Sequence, residues 1–396
     1  MTDLPRVFVR SRRARPFFAR HPWVMEGTVD RVEGEPAGGP VDLVTDQGEW
    51  IARGLLNPAS RLRVRLYAWD QADGLDEASW LRRLDRAIDL RQRLGLLGGD
   101  SACRVVFSEG DGFSGLIVDK YGSYLVVQPV AKVVLDRIEP LIARLVERLS
   151  PAGVLLKVDE AAARLEGAEA VERVVHGDWP TAPVFIRQGG VQYGVDLTGG
   201  QKTGFYLDQH DNRLAAARLS AGASVLDLCC YTGGFGLTCL ASGGAKSVLG
   251  IDSSETALTL ARENARLNSL PGARFEKGDA FESLRQLGEK RQTFDMVVLD
   301  PPKFAGRRDK VEEAFRAYHR LNLTAVKLLS PGGILVTCSC SGHVTPDDFA
   351  AMLSGVAATA GRDLQILERR GASSDHPVSA SCLESQYLKC FLVRVV

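Results

Sequence analysis

The stretch Ser224-Val-Leu-Asp-Leu-Cys-Cys-Tyr-Thr-Gly-Gly-Phe-Gly236 leaves this chain few ways to fold. Val225, Leu226 and Leu228 suit a buried strand, and apolar residues resume from Leu237 to Leu240 as in a helix. Between them lie Gly233, Gly234 and Gly236, which let the backbone take positive φ and come close to a ligand. Strand, glycine loop and helix are the opening of a doubly wound sheet that cradles a nucleotide. Asp252 closes the next strand, Ser247-Val-Leu-Gly-Ile251, where an acid accepts from ribose hydroxyls.

The glycines do not spell G-x-G-x-x-G, and the motif is far from the start of the chain, unlike a nicotinamide dehydrogenase. Asp227 lies on the first strand, Asp279 follows Arg274-Phe-Glu-Lys-Gly278, and Asp300 opens Asp-Pro-Pro-Lys-Phe304. A single acid at a strand end is usually a turn former or helix cap. Asp227, Asp252, Asp279 and Asp300 around one glycine loop instead suit a ligand with an amino group, a ribose and an exocyclic amine. S-adenosylmethionine has all three and is the expected cofactor.

At 396 residues the chain is too long for one compact core. Lys+Arg and Asp+Glu are both 49, so no bulk field draws in nucleic acid, and RNA binding requires local patches. One such cluster is Arg6, Arg10, Arg12, Arg13, Arg15 and Arg20; here Pro5 and Phe17-Phe18 suggest a folded strand rather than a transit peptide. No apolar run reaches membrane-spanning length. The 8 cysteines form no C-x-x-C pair, which argues against a zinc site and for reduced thiols in a cytoplasmic protein.

Three parts are expected: 1–72, 73–185 and 186–396. The first is built of short strands, with a hairpin of Val41–Val44 and Glu49–Ala52. Arg61-Leu-Arg-Val-Arg-Leu66 alternates, with its arginines on one face that is either solvated or grips phosphates. The second holds a helix over Asp76–Leu94, then a small α+β module whose helix from Val134 to Leu149 is broken early by Pro140. Asp111 and Asp159 are read as turn residues. A hairpin (Val184–Ile186, Val191–Val195) leads into the third and precedes Gln201–Gln209, in which Asp208 suits an N-cap with Leu214 and Leu219 on the apolar side of its helix. Strands are expected at 225–228, 247–251, 273–276, 295–299, 333–337 and 363–368, with a last, antiparallel one near 387–395. Helices include Glu255–Leu267 and Val311–Leu329. The fold class is α/β, a twisted sheet with helices on both faces.

Ligands lie beyond the carboxyl ends of such strands. Asp300 and the carbonyls of its two prolines can accept from the exocyclic amine of a base. Cys340, in Val336-Thr-Cys-Ser-Cys-Ser-Gly342, follows a strand end in a small polar loop that favours a thiolate. A thiol and an acid beside a methyl donor suggest carbon methylation of a pyrimidine: thiolate attack at C6 makes C5 nucleophilic. The bland alternative is that Cys338 and Cys340 are both structural.

The motifs Arg20-His-Pro-Trp-Val24, Glu109-Gly-Asp-Gly112, Lys202-Thr-Gly-Phe-Tyr-Leu-Asp-Gln209, Tyr231-Thr-Gly-Gly-Phe235, Asp300–Phe304, Ser339-Cys-Ser-Gly342 and Asp375-His-Pro-Val378 together resemble the bacterial large-subunit ribosomal RNA cytosine-C5 methyltransferases of the RlmI type. The likeness spans nearly the whole chain. It implies an N-terminal PUA β-barrel, a central β-β-α-β-β domain and a class I Rossmann-like methyltransferase, acting on 23S ribosomal RNA, with a hint of a homodimer. It puts the nucleophile at Cys340 with Asp300 beside it, and leaves Cys338 outside the pattern. Asp252 and Asp279 take the ribose and adenine. Asp227 with Tyr231, Thr232, Gly233, Gly234 and Phe235 faces the methionine end, and Tyr206 and Asp208 lie ahead of the loop. The second cysteine of better-known RNA cytosine-C5 enzymes is replaced by Pro-Pro-Lys, so the general base is unassigned, with Lys303 or water as candidates. The alternatives are a nucleobase N-methyltransferase, which needs no thiol, and a non-catalytic RNA-binding assembly factor.

Overall fold

The computed structural model describes residues 4–35, 38–197, 204–304 and 310–396. The chain forms two compact units: one holds the residues up to Ala182 together with Asp375–Ser385, the other runs from Pro183 to Ser374 and resumes at Gln386–Val396. Among the described residues no helix is long and apolar enough to cross a membrane.

In the first unit a six-stranded sheet runs in the order Trp23–Met25, Leu62–Ala68, Trp50–Leu56, Pro40–Thr45, Arg6–Val9, Val29–Glu33. The expected hairpin is there, with Leu43 paired to Ala52. Arg15–Phe18 is a helical turn rather than a strand; it buries Phe17 and leaves Phe18 46% exposed. Helix Glu77–Arg93 starts at Asp76, whose carboxylate accepts from Ser79 N, and Trp80, Leu84, Ala87 and Ile88 form its buried stripe. The Trp80 ring packs on Tyr67 of the first sheet and on Phe113 beyond the helix, with centroids 4.7 and 5.3 Å away. One hydrophobic cluster therefore takes in Leu55, Tyr67, the helix and the module that follows.

That module has five strands in the order Val171–Gly177, Gly153–Val158, Tyr124–Pro129, Leu116–Tyr121, Ala102–Phe107. The helix expected from Val134 to Leu149 is two, Lys132–Leu135 and Ile138–Leu149, and the break expected at Pro140 is not at that residue. The interruption falls at Asp136 and Arg137, and Pro140 occupies the first turn, where its missing N–H costs nothing. Asp111 accepts from Phe107 N and from buried Arg91, and Asp159 caps helix Glu160–Glu166, so both are structural. Asp375–Ser385 packs here: Asp375 accepts from Arg104 N at 2.8 Å and from His376 Nδ1 at 2.8 Å, and its carbonyl accepts from Arg91 at 2.5 Å.

Arg65 departs from both readings of the arginine strand. It is buried, with Nη2 3.1 Å from Glu166 and Nη1 3.0 Å from Ser114 Oγ. The Glu166 carboxylate also accepts from Ser60 Oγ, Asn57 Nδ2 and Lys132 N. Arg63 pairs with Glu26, and Arg61 is exposed. Neither Arg63 nor Arg65 is left to hold phosphate.

In the second unit the hairpin Val184–Gln188 and Val191–Val195 precedes a seven-stranded sheet. Its strands are β1 (Ser224–Leu228), β2 (Ser247–Asp252), β3 (Ala273–Lys277), β4 (Phe294–Leu299), β5 (Leu329–Ser339), β6 (Leu364–Arg370) and β7 (Lys389–Val395). Their order is β3-β2-β1-β4-β5-β7-β6. β1 to β5 are parallel, and β7 runs antiparallel to both neighbours, as expected of a strand entered from a loop. After β3 the chain crosses to the other side of β1, so a crevice opens at the carboxyl ends of β1 and β4. Helices Glu255–Leu267 and Val311–Leu328 agree with the periodicity.

Removing the Glu166 carboxylate leaves the buried Arg65 guanidinium with only the longer pair to Glu109, at 3.6 Å. Glu166→Ala is expected to cost the first unit about 3 kcal/mol or more. All five tryptophans (Trp23, Trp50, Trp69, Trp80, Trp179) lie in that unit, so urea unfolding followed by tryptophan fluorescence measures it directly; a loss under about 1 kcal/mol contradicts the assignment.

Candidate active site

The carboxyl edge of the parallel strands gathers most of the side chains singled out above. Asp227 is on β1, Asp252 ends β2, Asp279 follows β3, Asp300 follows β4, and Cys340 follows β5. The loop after β1 is wound tightly: Cys229, Tyr231 and Gly233 have φ of 59°, 50° and 84°. Two non-glycine residues in the left-handed region mark a loop held by its surroundings. A Cβ at Gly234 would come 2.6 Å from Arg213 Nε, and one at Gly236 would come 2.6 Å from Val248 Cγ1. Phe235 points elsewhere than expected: it packs in the core cluster with Val225, Cys239 and Val248, so only its backbone belongs to the loop.

Each acid has its own environment. Asp227 Oδ2 accepts from Gly236 N at 2.9 Å, while Oδ1 is buried with no partner among the described residues. Burial pushes its pKa up to about 7, against the Gly236 hydrogen bond and with the charge of Asp300 adding to the rise. Asp252 shapes the loop, accepting from Tyr231 N and Ser254 N, both at 2.9 Å. Asp279 is exposed and caps helix Ala280–Glu289, its Oδ1 accepting from Glu282 N at 3.0 Å. Asp300 is partly buried. The Thr232 hydroxyl is buried without a partner among the described residues.

Of the segment ahead of the loop, Lys202 and Thr203 lie outside the described residues. The Tyr206 ring meets Tyr231 edge-on with centroids 5.2 Å apart, and burial, with Asp300 next, raises its pKa above the usual phenol value. Asp208 is not an N-cap. It lies inside the turn Leu207–Gln209, ahead of helix His210–Ala217; its Oδ2 accepts from Tyr387 Oη and its Oδ1 is buried and unpartnered among the described residues. Leu219 lies past this helix and is exposed.

Two buried cations here escaped the sequence reading. Arg213 is 5% exposed, donates to Tyr206 O at 2.7 Å and to Gln188 Oε1 at 3.3 Å, and stacks on Phe205 4.5 Å away. Burial lowers its pKa, opposed by Tyr193 and then by the charges of Asp208, Asp300 and Asp227. Lys389 is 1% exposed and donates to the carbonyls of Ser341 and Tyr387 at 2.5 and 2.8 Å. The only hints were an arginine in an alanine-rich helix and a lysine in an apolar strand.

The two cysteines after β5's midpoint separate. Cys338 is 0% exposed, and burial followed by the neighbouring Cys390 holds its thiol well above the usual pKa, so it is structural. Cys340 is partly exposed, one residue beyond β5, and its charge is felt by Tyr206, Tyr318 and Lys389. In the first unit, His21, Cys382 and Glu384 also come together. There Trp23 N donates to His21 Nδ1 at 3.3 Å, which leaves the ring proton on Nε2, 3.4 Å from Glu384 Oε2, an arrangement that suits a hydrogen bond rather than a metal ligand.

The crevice fits S-adenosylmethionine: orphaned oxygens on Asp227 and Thr232 need a donor, and the glycine loop has no room for side chains. A family model for the S-adenosylmethionine-dependent methyltransferases matches residues 162–389, and one for PUA-like domains matches residues 7–69. A protein from Streptococcus mutans described as a SAM-dependent methyltransferase shares the fold with a TM-score of 0.83, at 20% identity, over 98% of this chain and 100% of that one. A methyltransferase structure complexed with SAH superposes with a TM-score of 0.85, at 21% identity and the same coverage, 98% and 100%. Sheet order, loop and family model together define an S-adenosylmethionine-dependent methyltransferase with a PUA-like domain. Ribosomal RNA large subunit methyltransferase I of Tolumonas auensis is 40% identical over 98% of this chain and 99% of its own length; the Citrobacter koseri protein of that name is 38% identical over 99% of each. The chain belongs to the ribosomal RNA large subunit methyltransferase I family.

The raised pKa of Asp227 predicts a pH effect on stability. The folded state holds this proton above the pH at which the unfolded chain releases it, so the stabilisation present below about pH 4 is lost as pH rises towards about 7. Asp227→Asn removes that dependence. The variant should gain on the wild type by up to roughly 4 kcal/mol between pH 4 and 7.5. Hydrogen exchange of the β1 peptide in urea reads the second unit; a gap independent of pH contradicts the assignment.

Proposed function

We propose that this chain methylates carbon 5 of a cytosine in large-subunit ribosomal RNA, with Cys340 as the nucleophile. The observation that carries this reading is the contrast at the end of β5: Cys338 is sealed in the core, while Cys340 is partly exposed at the carboxyl edge among Tyr206, Tyr318 and Lys389. The names of the full-length relatives support the RNA substrate, and the PUA-like domain agrees with it.

Asp252 would accept from the ribose, Asp279 would meet the adenine amine, and Asp227 with Thr232, Gly233 and Gly234 would hold the methionine end, walled by Tyr206 and Tyr231. When bound, S-adenosylmethionine supplies an electrophilic methyl group. The chain's own part is to raise the reactivity of the base. The Cys340 thiolate adds to C6, and the electron pair of the C5–C6 double bond moves to C5, which becomes enamine-like. Asp300 accepts from the exocyclic amine and orients the ring. After C5 is methylated, its proton passes to water, the double bond reforms, and the sulfur leaves C6 as thiolate. In the first unit, Arg12, Arg15 and Arg20 are exposed and offer phosphate contacts beside Phe18.

Cys340→Ser is expected to lower methyl transfer to ribosomal RNA by about three orders of magnitude or more, while S-adenosylmethionine still binds. Mass spectrometry of digested RNA should find 5-methylcytidine with the wild type. Near wild-type transfer by the serine variant, or an N-methylated nucleoside as product, contradicts the covalent route.

A further inference from the structure

Lys389 is a buried cation that the proposed reaction has not yet used. Its Cα pairs in register with Ser339, the residue before Cys340, and its Nζ binds the carbonyl of Ser341, the residue after. The ammonium thus brackets the nucleophile on both sides along the chain. Two backbone carbonyls take two of its protons, and among the described residues no carboxylate pairs with it. A buried ammonium without an anion is costly, and an anion formed nearby offsets that cost.

We propose that Lys389 is a positioning residue for Cys340: it fixes the turn Ser339–Ser341 and is the counter-ion that holds the Cys340 sulfur as thiolate. This rests on Cys340 being the nucleophile. The thiol proton goes to solvent and Lys389 stays an ammonium. When the C6–S bond breaks, the departing sulfur takes the bonding pair and is again neutralised by Lys389, so product release needs no second cysteine. Burial lowers the Lys389 pKa to about 8; Cys340 opposes this fall and Lys303 adds to it.

Other groups lie in the same neighbourhood. Tyr206 and Tyr318 feel Cys340 and stay protonated because burial raises both, Asp300 adds to the rise at Tyr206, and Lys303 acts on Lys389. Of these, Lys389 is the cation shielded from water, and its charge acts with the least screening.

The test is alkylation of Cys340 by iodoacetamide in the full chain from pH 6 to 10, read by mass spectrometry of the Cys340 peptide. The wild type should show an apparent pKa below the value of about 8.5 for a free thiol. Lys389→Met should slow alkylation at pH 7.5 about tenfold or more by moving the profile up one unit or more, and Lys389→Arg should keep most of the wild-type profile. Calorimetric binding of S-adenosylmethionine checks that each variant is folded. The proposal is overturned if wild-type Cys340 titrates at 8.5 or above, a result that needs no variant, or if folded Lys389→Met gives an unchanged profile. If alkylation behaves as expected but Cys340→Ser still methylates RNA, the thiolate pairing stands and the covalent route fails. An unchanged profile together with an inactive Cys340→Ser removes the role of Lys389 alone.

Discussion

The parallel strands of the second unit carry their acids to one edge, and the acid on the first of them, Asp227, is buried. Asp227 is the extreme case: a buried carboxyl with one oxygen on Gly236 N and the other without a partner among the described residues. Like charge from Asp300 makes its ionisation harder, and buried Arg213 makes it easier. Such an arrangement is unfavourable for a protein alone and favourable for one that binds a cationic ligand, because the ligand then supplies the missing charge. The tight loop after β1 follows from the same need: its glycines bring backbone, not side chains, up to the ligand.

The first unit solves its charge problem differently. There two buried arginines are internally paired: Arg65 with Glu166, and Arg91 with Asp111 and the Asp375 carbonyl. These groups hold the six-stranded sheet, the long helix and the five-stranded module as one body, and nothing in them awaits a ligand. The contrast separates structural from functional polar groups: a satisfied network stabilises, whereas an orphaned buried oxygen points to a missing partner.

Much of this was legible in the sequence because local pattern and tertiary role agree. The strands of the second unit, the helix Glu255–Leu267 and the antiparallel last strand follow from apolar runs, 3.6-residue spacing and the absence of a helix before Tyr387. What was not legible depends on residues far apart in the chain. Alternation puts Arg65 on the polar face, but only Glu166, 101 residues away, shows that Arg65 itself is buried. Asp208 has the residue type of a cap, yet Tyr387 claims its carboxylate. Arg213 and Lys389 look unremarkable in one dimension because burial and missing counter-charges have no local signature. The return of Asp375–Ser385 to the first unit is also invisible to periodicity.

The chemistry turns on whether the sulfur after β5 bonds to the base. The most direct measurement uses ribosomal RNA carrying 5-fluorocytosine, in which fluorine replaces the proton that must leave C5. With S-adenosylmethionine present, the account predicts a stable protein–RNA adduct that survives denaturation and maps by mass spectrometry to Cys340. Methyl transfer to the unmodified RNA with no adduct on the fluorinated one, or an adduct on another residue, would contradict it.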